Sequence, residues 1–125
     1  MIFQNDRHKQ IFEAKRLYMR KPSKKALAVL YLLTADHTLW RKTKHLFTPN
    51  GRIDFKSVHL GDVSTDCYAL WKAIKELQTG EKQVSLYELA DSSIVSDNAF
   101  RLIIQAVTIV RFGTAVLNNT EVRYV

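Results

Sequence analysis

The sequence predicts an all-α protein: a single-domain bundle of about five helices spanning residues 1–125, with one or two minor β-hairpins. Three observations carry that reading. Apolar residues recur at three- and four-residue steps in successive segments. Those segments are punctuated by Ser, Thr or Asp before them and by Gly or Pro after them, the residues that start and stop helices. The run Ala26–Leu33 is apolar on every face, which in a chain surrounded by water requires cover from several sides. A length of 125 residues suffices for one sizeable core.

The first helix is expected over Asp6–Tyr18. Ile11, Phe12, Ala14, Leu17 and Tyr18 have near-helical spacing there, with Phe3 and His8 ahead of them. Pro22 disfavours helix at Lys21 and closes that segment, leaving a hinge over Met19–Ser23. Ser23 then caps the second helix, Lys24–Leu33, and Asp36 caps the third. In the third helix Leu39, Trp40, Thr43, Leu46 and Phe47 form a stripe, with Arg41, Lys42, Lys44 and His45 mostly opposite. Pro49-Asn50-Gly51 reads as a turn. A type I′ hairpin at Asn50-Gly51 is expected between short strands at Phe47-Thr48 and Arg52–Phe55. His59–Val63 is a linker.

The fourth helix is capped by Ser64 or Thr65 and stopped by Gly80. Its stripe is Cys67, Leu70, Trp71, Ile74 and Leu77, while Lys72, Lys75 and Glu76 face water. Val84–Leu89 is a short helix or turn, with Leu86, Tyr87 and Leu89 expected to pack inward. Ser96 caps the last helix, Asp97–Phe112, and Gly113 ends it. The β-branched content of Ile103–Val110 suggests a strand, but length, cap and glycine favour helix. Thr114–Val125 reads either as a small hairpin turning at Asn118-Asn119 or as a frayed tail. The core is expected from the second helix, the Trp71 helix and the last helix.

Charge divides the chain. Residues 1–56 carry 13 Lys and Arg against 4 Asp and Glu, whereas residues 57–125 carry 6 against 8. A one-sided positive field favours an anionic partner, either nucleic acid or an acidic protein face. Two clusters would carry it: Arg41, Lys42, Lys44 and His45 in the third helix, and Arg16, Arg20, Lys21, Lys24 and Lys25 around the Pro22 turn. Solubility alone is the bland explanation of such faces.

Little in the chain points to catalysis. The four histidines, His8, His37, His45 and His59, have no metal-chelating spacing, and there is no second cysteine; they are expected on the surface or as caps. Cys67 has a helix-N-terminal address but lies on an apolar stripe, where a thiol behaves as a small hydrophobe. The glycines are isolated, so no phosphate-cradling loop exists. No metal and no cofactor are expected, and the protein is read as a non-enzyme. No apolar run is long enough for a membrane span, and the polar N-terminus has no signal-peptide core, so a cytoplasmic protein without membrane partners is expected.

Several stretches together resemble a family of short bacterial proteins found largely in phages and other mobile elements of Gram-positive hosts, a domain of unknown function. They are Phe3, His8 and Phe12 (F-x-x-x-x-H-x-x-x-F), ALAVLYLL at 26–33, LFTPNGRID at 46–54, VSTDCYALWKAIKELQTG at 63–80 and the terminal apolar helix. The similarity covers about residues 3–112 and implies no active site. The expected function is therefore that of a phage- or mobile-element-type accessory protein. It would bind an anionic macromolecule through Arg41, Lys42, Lys44 and His45, with Arg16, Arg20, Lys24 and Lys25 assisting. The alternatives are a homo-oligomeric scaffold that uses the apolar last helix, a helix-turn-helix regulator built on residues 85–107, and an enzyme dependent on Cys67.

Overall fold

A helix with no polar face is the centre of the molecule. In the computed structural model, which describes residues 3–118, every residue from Ala26 to Ala35 is buried. The described residues form seven helices: α1 (Asp6–Arg16), α2 (Lys24–Ala35), α3 (His37–Thr43), α4 (Thr65–Thr79), α5 (Leu86–Ala90), α6 (Asp97–Phe112) and α7 (Ala115–Asn118). The architecture is all-α. Extended pairing among the described residues is limited to one antiparallel bridge, Phe47 with Ile53. No helix among them is long and apolar enough to cross a membrane.

Contacts at the helix ends give the arrangement. Gln4 Nε2 donates to the Ala35 carbonyl at 2.8 Å, so the start of α1 meets the end of α2. The Asn98 side chain donates to Gln4 at 2.8 Å, and Gly113 lies beside Lys24, so α6 also runs opposite to α2. Cys67 in the first turn of α4 neighbours Asp36, and Gln78 in its last turn holds Ile53. The Phe47–Ile53 turn returns to Ala26 in the first turn of α2. Helices α1, α3, α4 and α6 thus all run counter to the central α2, and α2, α4 and α6 pack mutually as the core.

Local chemistry starts each helix where it does. Side chains of Asn5, Ser23, Asp36, Ser64, Ser85 and Ser96 accept from the amide three residues on, each cap worth about 1 kcal/mol. The Ser96 hydroxyl also donates to Asp66 at 2.7 Å, which ties the start of α6 to the first turn of α4. Gly80, at φ 81°, closes α4 in the left-handed region.

Several expectations are corrected. The third helix stops at Thr43 rather than continuing to Phe47. The Asn50-Gly51 turn is not type I′, because among the described residues only Lys21 and glycines have positive φ. Gly51 instead donates to Thr48 at 2.9 Å and Thr48 to the Arg52 carbonyl at 2.9 Å. This is a three-residue loop with Gly51 in the left-handed position. Pro49, with φ fixed near −65°, suits the first corner of such a turn. The expected strands shrink to the single bridge, because Asp54 caps a 3-10 turn at Phe55–Ser57. Leu86 and Tyr87 are 85% and 75% exposed instead of packed inward, since the first turn of the five-residue α5 points away from the core. Residues Ala115–Asn118 form a helix, not a hairpin arm, with Leu117 buried; the Val122 and Tyr124 arm lies outside the described residues.

His8 is buried, not on the surface. It sits among Phe3, Phe12 and Tyr31, with ring centroids 5.1 Å from Phe3 and 4.6 Å from Tyr31. The Gln4 amide donates to its Nδ1 at 3.0 Å, so Nε2 carries the proton and donates to the Tyr31 carbonyl at 2.8 Å. Both ring nitrogens are satisfied in the neutral form. Burial lowers the His8 pKa from 6.5 to about 4, partly opposed by the bond to Tyr31.

Two outcomes follow from these contacts. An unfolded His8 takes up its proton near pH 6.5 and the folded one only near 4, so its contribution is complete above pH 6.5 and is lost as pH falls towards 4. Urea denaturation should show stability falling by about 2 kcal/mol between pH 7 and pH 5. A His8→Phe variant, less stable at pH 7, should lack that slope; if it keeps the slope, His8 is not the titrating group. At Gly51, φ is +84° and an added Cβ would collide with the Ala26 side chain. Gly51→Ala should therefore cost about 2–4 kcal/mol, and an unchanged denaturation midpoint would show that the turn does not press on α2.

Candidate functional site

Because α1 and α3 both run counter to α2, they are parallel to each other, and a groove forms where their outward faces meet. Arg7 and Ile11 from α1, His37, Trp40 and Arg41 from α3 and Lys44 at its C-cap line a depression of about 250 Å³ there. Ile11 and Trp40 are half-buried, and the Trp40 ring meets Phe47 edge-on at 6.5 Å. Arg41, Lys44 and His37 are exposed. Arg7 donates from Nη1 to the Thr34 carbonyl at 3.4 Å, a long bond that leans its guanidinium against the end of α2. An apolar floor with three permanent cations around it is the result.

These cations are not internally neutralised. The ion pairs among the described residues are Arg16 with Glu13 at 3.9 Å and Lys72 with Glu88 at 3.1 Å. Arg7, Arg41, Lys42 and Lys44 have no carboxylate partner among the described residues. Arg41 and Lys42 lie in the last turn of α3, where the carbonyl dipole favours positive charge and offsets theirs only in part.

The eight residues expected to bind a partner fall into different places. Arg41 and Lys44 line the α1–α3 depression, and His45 is exposed just past the end of α3. Lys42 is half-buried on another flank of the helix, near Cys67, whose ionisation its charge favours. Arg20 is exposed beside the turn that follows α3, its amide donating to the Pro49 carbonyl at 3.0 Å. Lys24 and Lys25 are exposed at the start of α2, with Lys24 alongside Gly113. Arg16 points towards the end of α6, donating from Nη2 to Thr114 Oγ1 at 2.8 Å.

Arg7 was not singled out from sequence. It stands 34 residues before Arg41, and only the placement of α1 and α3 side by side against α2 joins them. The available signal was its position one helical turn before Ile11, on the flank of a helix whose partner was not known.

No family model, curated protein or solved structure matches the chain.

Elsewhere the structure offers little reactive chemistry. Cys67 is buried, and desolvation, with Asp36 beside it, pushes its thiol up to about 12. It is therefore protonated at neutral pH despite its place in the first turn of α4, and a protonated thiol is a poor nucleophile. No group of three His, Cys, Asp or Glu among the described residues is arranged to hold a metal ion. A second depression of about 360 Å³ lies between α4 and α5, lined mainly by Val63, Tyr68, Ala69, Val84, Ile94 and Val95. The Lys72–Glu88 pair borders it. The Ser85 amide and then Lys72 hold the Glu88 carboxyl below its ordinary range.

Proposed function

We propose that this protein is a non-enzymatic accessory protein, of the kind phages and mobile elements carry, that binds an anionic macromolecule through the basic side of α1–α3. The observation that supports this reading most is the depression between α1 and α3, where Arg7, Arg41 and Lys44 surround an apolar floor without any described carboxylate to pair with. Three unneutralised cations in one groove repel one another, a cost that an incoming anion removes. Phosphate is the chemistry that suits them: arginine offers a planar fork of donors and lysine a point charge. Arg20, Lys24 and Lys25, all exposed, extend the positive field beyond the groove, and the exposed His45 offers a hydrogen-bonding ring beside it. Lys42 and Arg16, turned to other flanks, contribute through the field more than through contact.

A second reading is self-association through α6. Phe100, Ile104 and Val107, at four- and three-residue steps, are 39%, 38% and 46% exposed on the side of α6 away from α2. The same row sets apolar side chains among the exposed Asn98 and Arg101, where a recognition helix of the helix-turn-helix kind presents polar ones.

Binding to a random nucleic-acid duplex, followed across a salt series, tests the first reading. The logarithm of the association constant should fall linearly with the logarithm of salt concentration, because each neutralised phosphate releases counterions. Replacing Arg41 and Lys44 together by Gln should make that slope shallower by roughly 0.9 per cation removed. A flat slope would eliminate nucleic acid as the partner. Light scattering tests the second reading: a stable dimer that Ile104→Glu converts to monomer supports it, and a monomer at all concentrations ends it.

A further inference from the structure

We propose that the α1–α3 depression receives a single unpaired nucleotide, so that the partner is single-stranded nucleic acid. The base would lie against Trp40 and Ile11, and its flanking phosphates would meet Arg7, Arg41 and Lys44. This rests on the polyanion reading above and narrows it.

Three features favour an unpaired strand over a duplex or an acidic protein. The first is the floor. Phosphates or carboxylates alone need cations, whereas this groove sets an indole and an isoleucine between them. A base has an apolar π-face that such a floor can receive, and stacking on aromatic side chains is the sequence-tolerant way to hold single strands. An acidic side chain would place its charge over the least polar part of the site, where desolvation opposes it.

The second is size. The depression, at about 250 Å³, falls just below the roughly 300 Å³ at which enclosed small-molecule pockets begin, and it is open to solvent. That suits one ring system inserted from a strand that continues on either side. In a duplex the base faces are covered by their neighbours and cannot reach the floor, so only the cations would be used.

The third is rigidity. Trp40 does not hang from a loop. It sits in α3, whose first turn is capped by Asp36, and its ring is braced by Phe47 and packed against the core. A braced ring loses little freedom when a base lands on it. Arg7 is likewise leaned on the Thr34 carbonyl and so stays at the rim.

Trp40 fluorescence provides the test. The other indole, Trp71, is buried under Phe55, 5.2 Å between ring centroids, so it does not report on the groove. The intact chain is titrated at one salt concentration with a 12-nucleotide oligothymidine, a duplex of equal length, inorganic polyphosphate and polyglutamate. Oligothymidine should quench the emission and bind at least tenfold more tightly than the duplex. Trp40→Leu, which keeps an apolar floor without the ring, is followed by the anisotropy of end-labelled oligothymidine and its displacement by polyphosphate, because the reporting indole is gone; it should lose about tenfold in affinity for oligothymidine and leave polyphosphate binding unchanged. Should that variant not fold, the wild-type quench and an Arg7→Gln variant, expected to weaken oligothymidine binding and shallow its salt slope by roughly 0.7, carry the test. Equal binding of single strand and duplex without quenching overturns this inference and leaves the polyanion reading standing. Tighter binding to polyglutamate than to oligothymidine overturns it in favour of an acidic protein. Failure to bind any of the four overturns both.

Discussion

An α-helix without a polar side can persist in water only as an axle, enclosed by other elements on every side. Ala26–Ala35 meet that condition, and the rest of the chain is arranged to satisfy it. Helix α6 and helix α4 cover two sides, α1 and α3 the others. Two exposed faces remain as by-products. The outer surfaces of α1 and α3 meet in a basic groove, and the outer surface of α6 keeps a row of apolar side chains.

Burying Ala26–Ala35 on every side also forces polar accounts to close around them. The Tyr31 carbonyl accepts from His8, the Ala35 carbonyl from Gln4, and the Thr34 hydroxyl donates to the Leu30 carbonyl at 2.8 Å. No buried side-chain nitrogen or oxygen among the described residues lacks a partner. Gln78 does the same for the turn after α3: its side-chain amide donates to the Ile53 carbonyl and accepts from the Ile53 amide, at 2.8 and 3.0 Å. One side chain thereby stands in for the neighbouring strand that a single bridge lacks.

Much of the fold was legible in the sequence because helix boundaries are local chemistry. Ser23, Asp36, Ser64 and Ser96 each cap the helix that follows, and Gly80 and Gly113 each end one, because a cap needs only its own side chain and the next three amides. The errors arose where the deciding contact is remote or the segment too short. Five residues of α5 hold barely one turn and give no period to read, so the outward turn of Leu86 and Tyr87 was invisible. The burial of His8 depends on Tyr31, 23 residues away, and the groove depends on two helices lying parallel. The basic character of residues 1–56 was plain from composition. Which cations stand together was not, and the structure puts Arg7 in the groove while turning Arg16 and Lys42 elsewhere.

The encirclement of α2 also sets the order in which the chain becomes stable. A chain emerging N-terminus first presents α1, α2 and α3 well before residues 65–112, which supply α4 and α6. Until then two flanks of a fully greasy rod face the surrounding water. Only α6, the last of the large described helices, completes the cover, so the core cannot close before residues 97–112 have been made. Any product truncated before α6 would leave open to water the apolar flank of α2 that α6 covers, prey to aggregation and to the proteases that clear it.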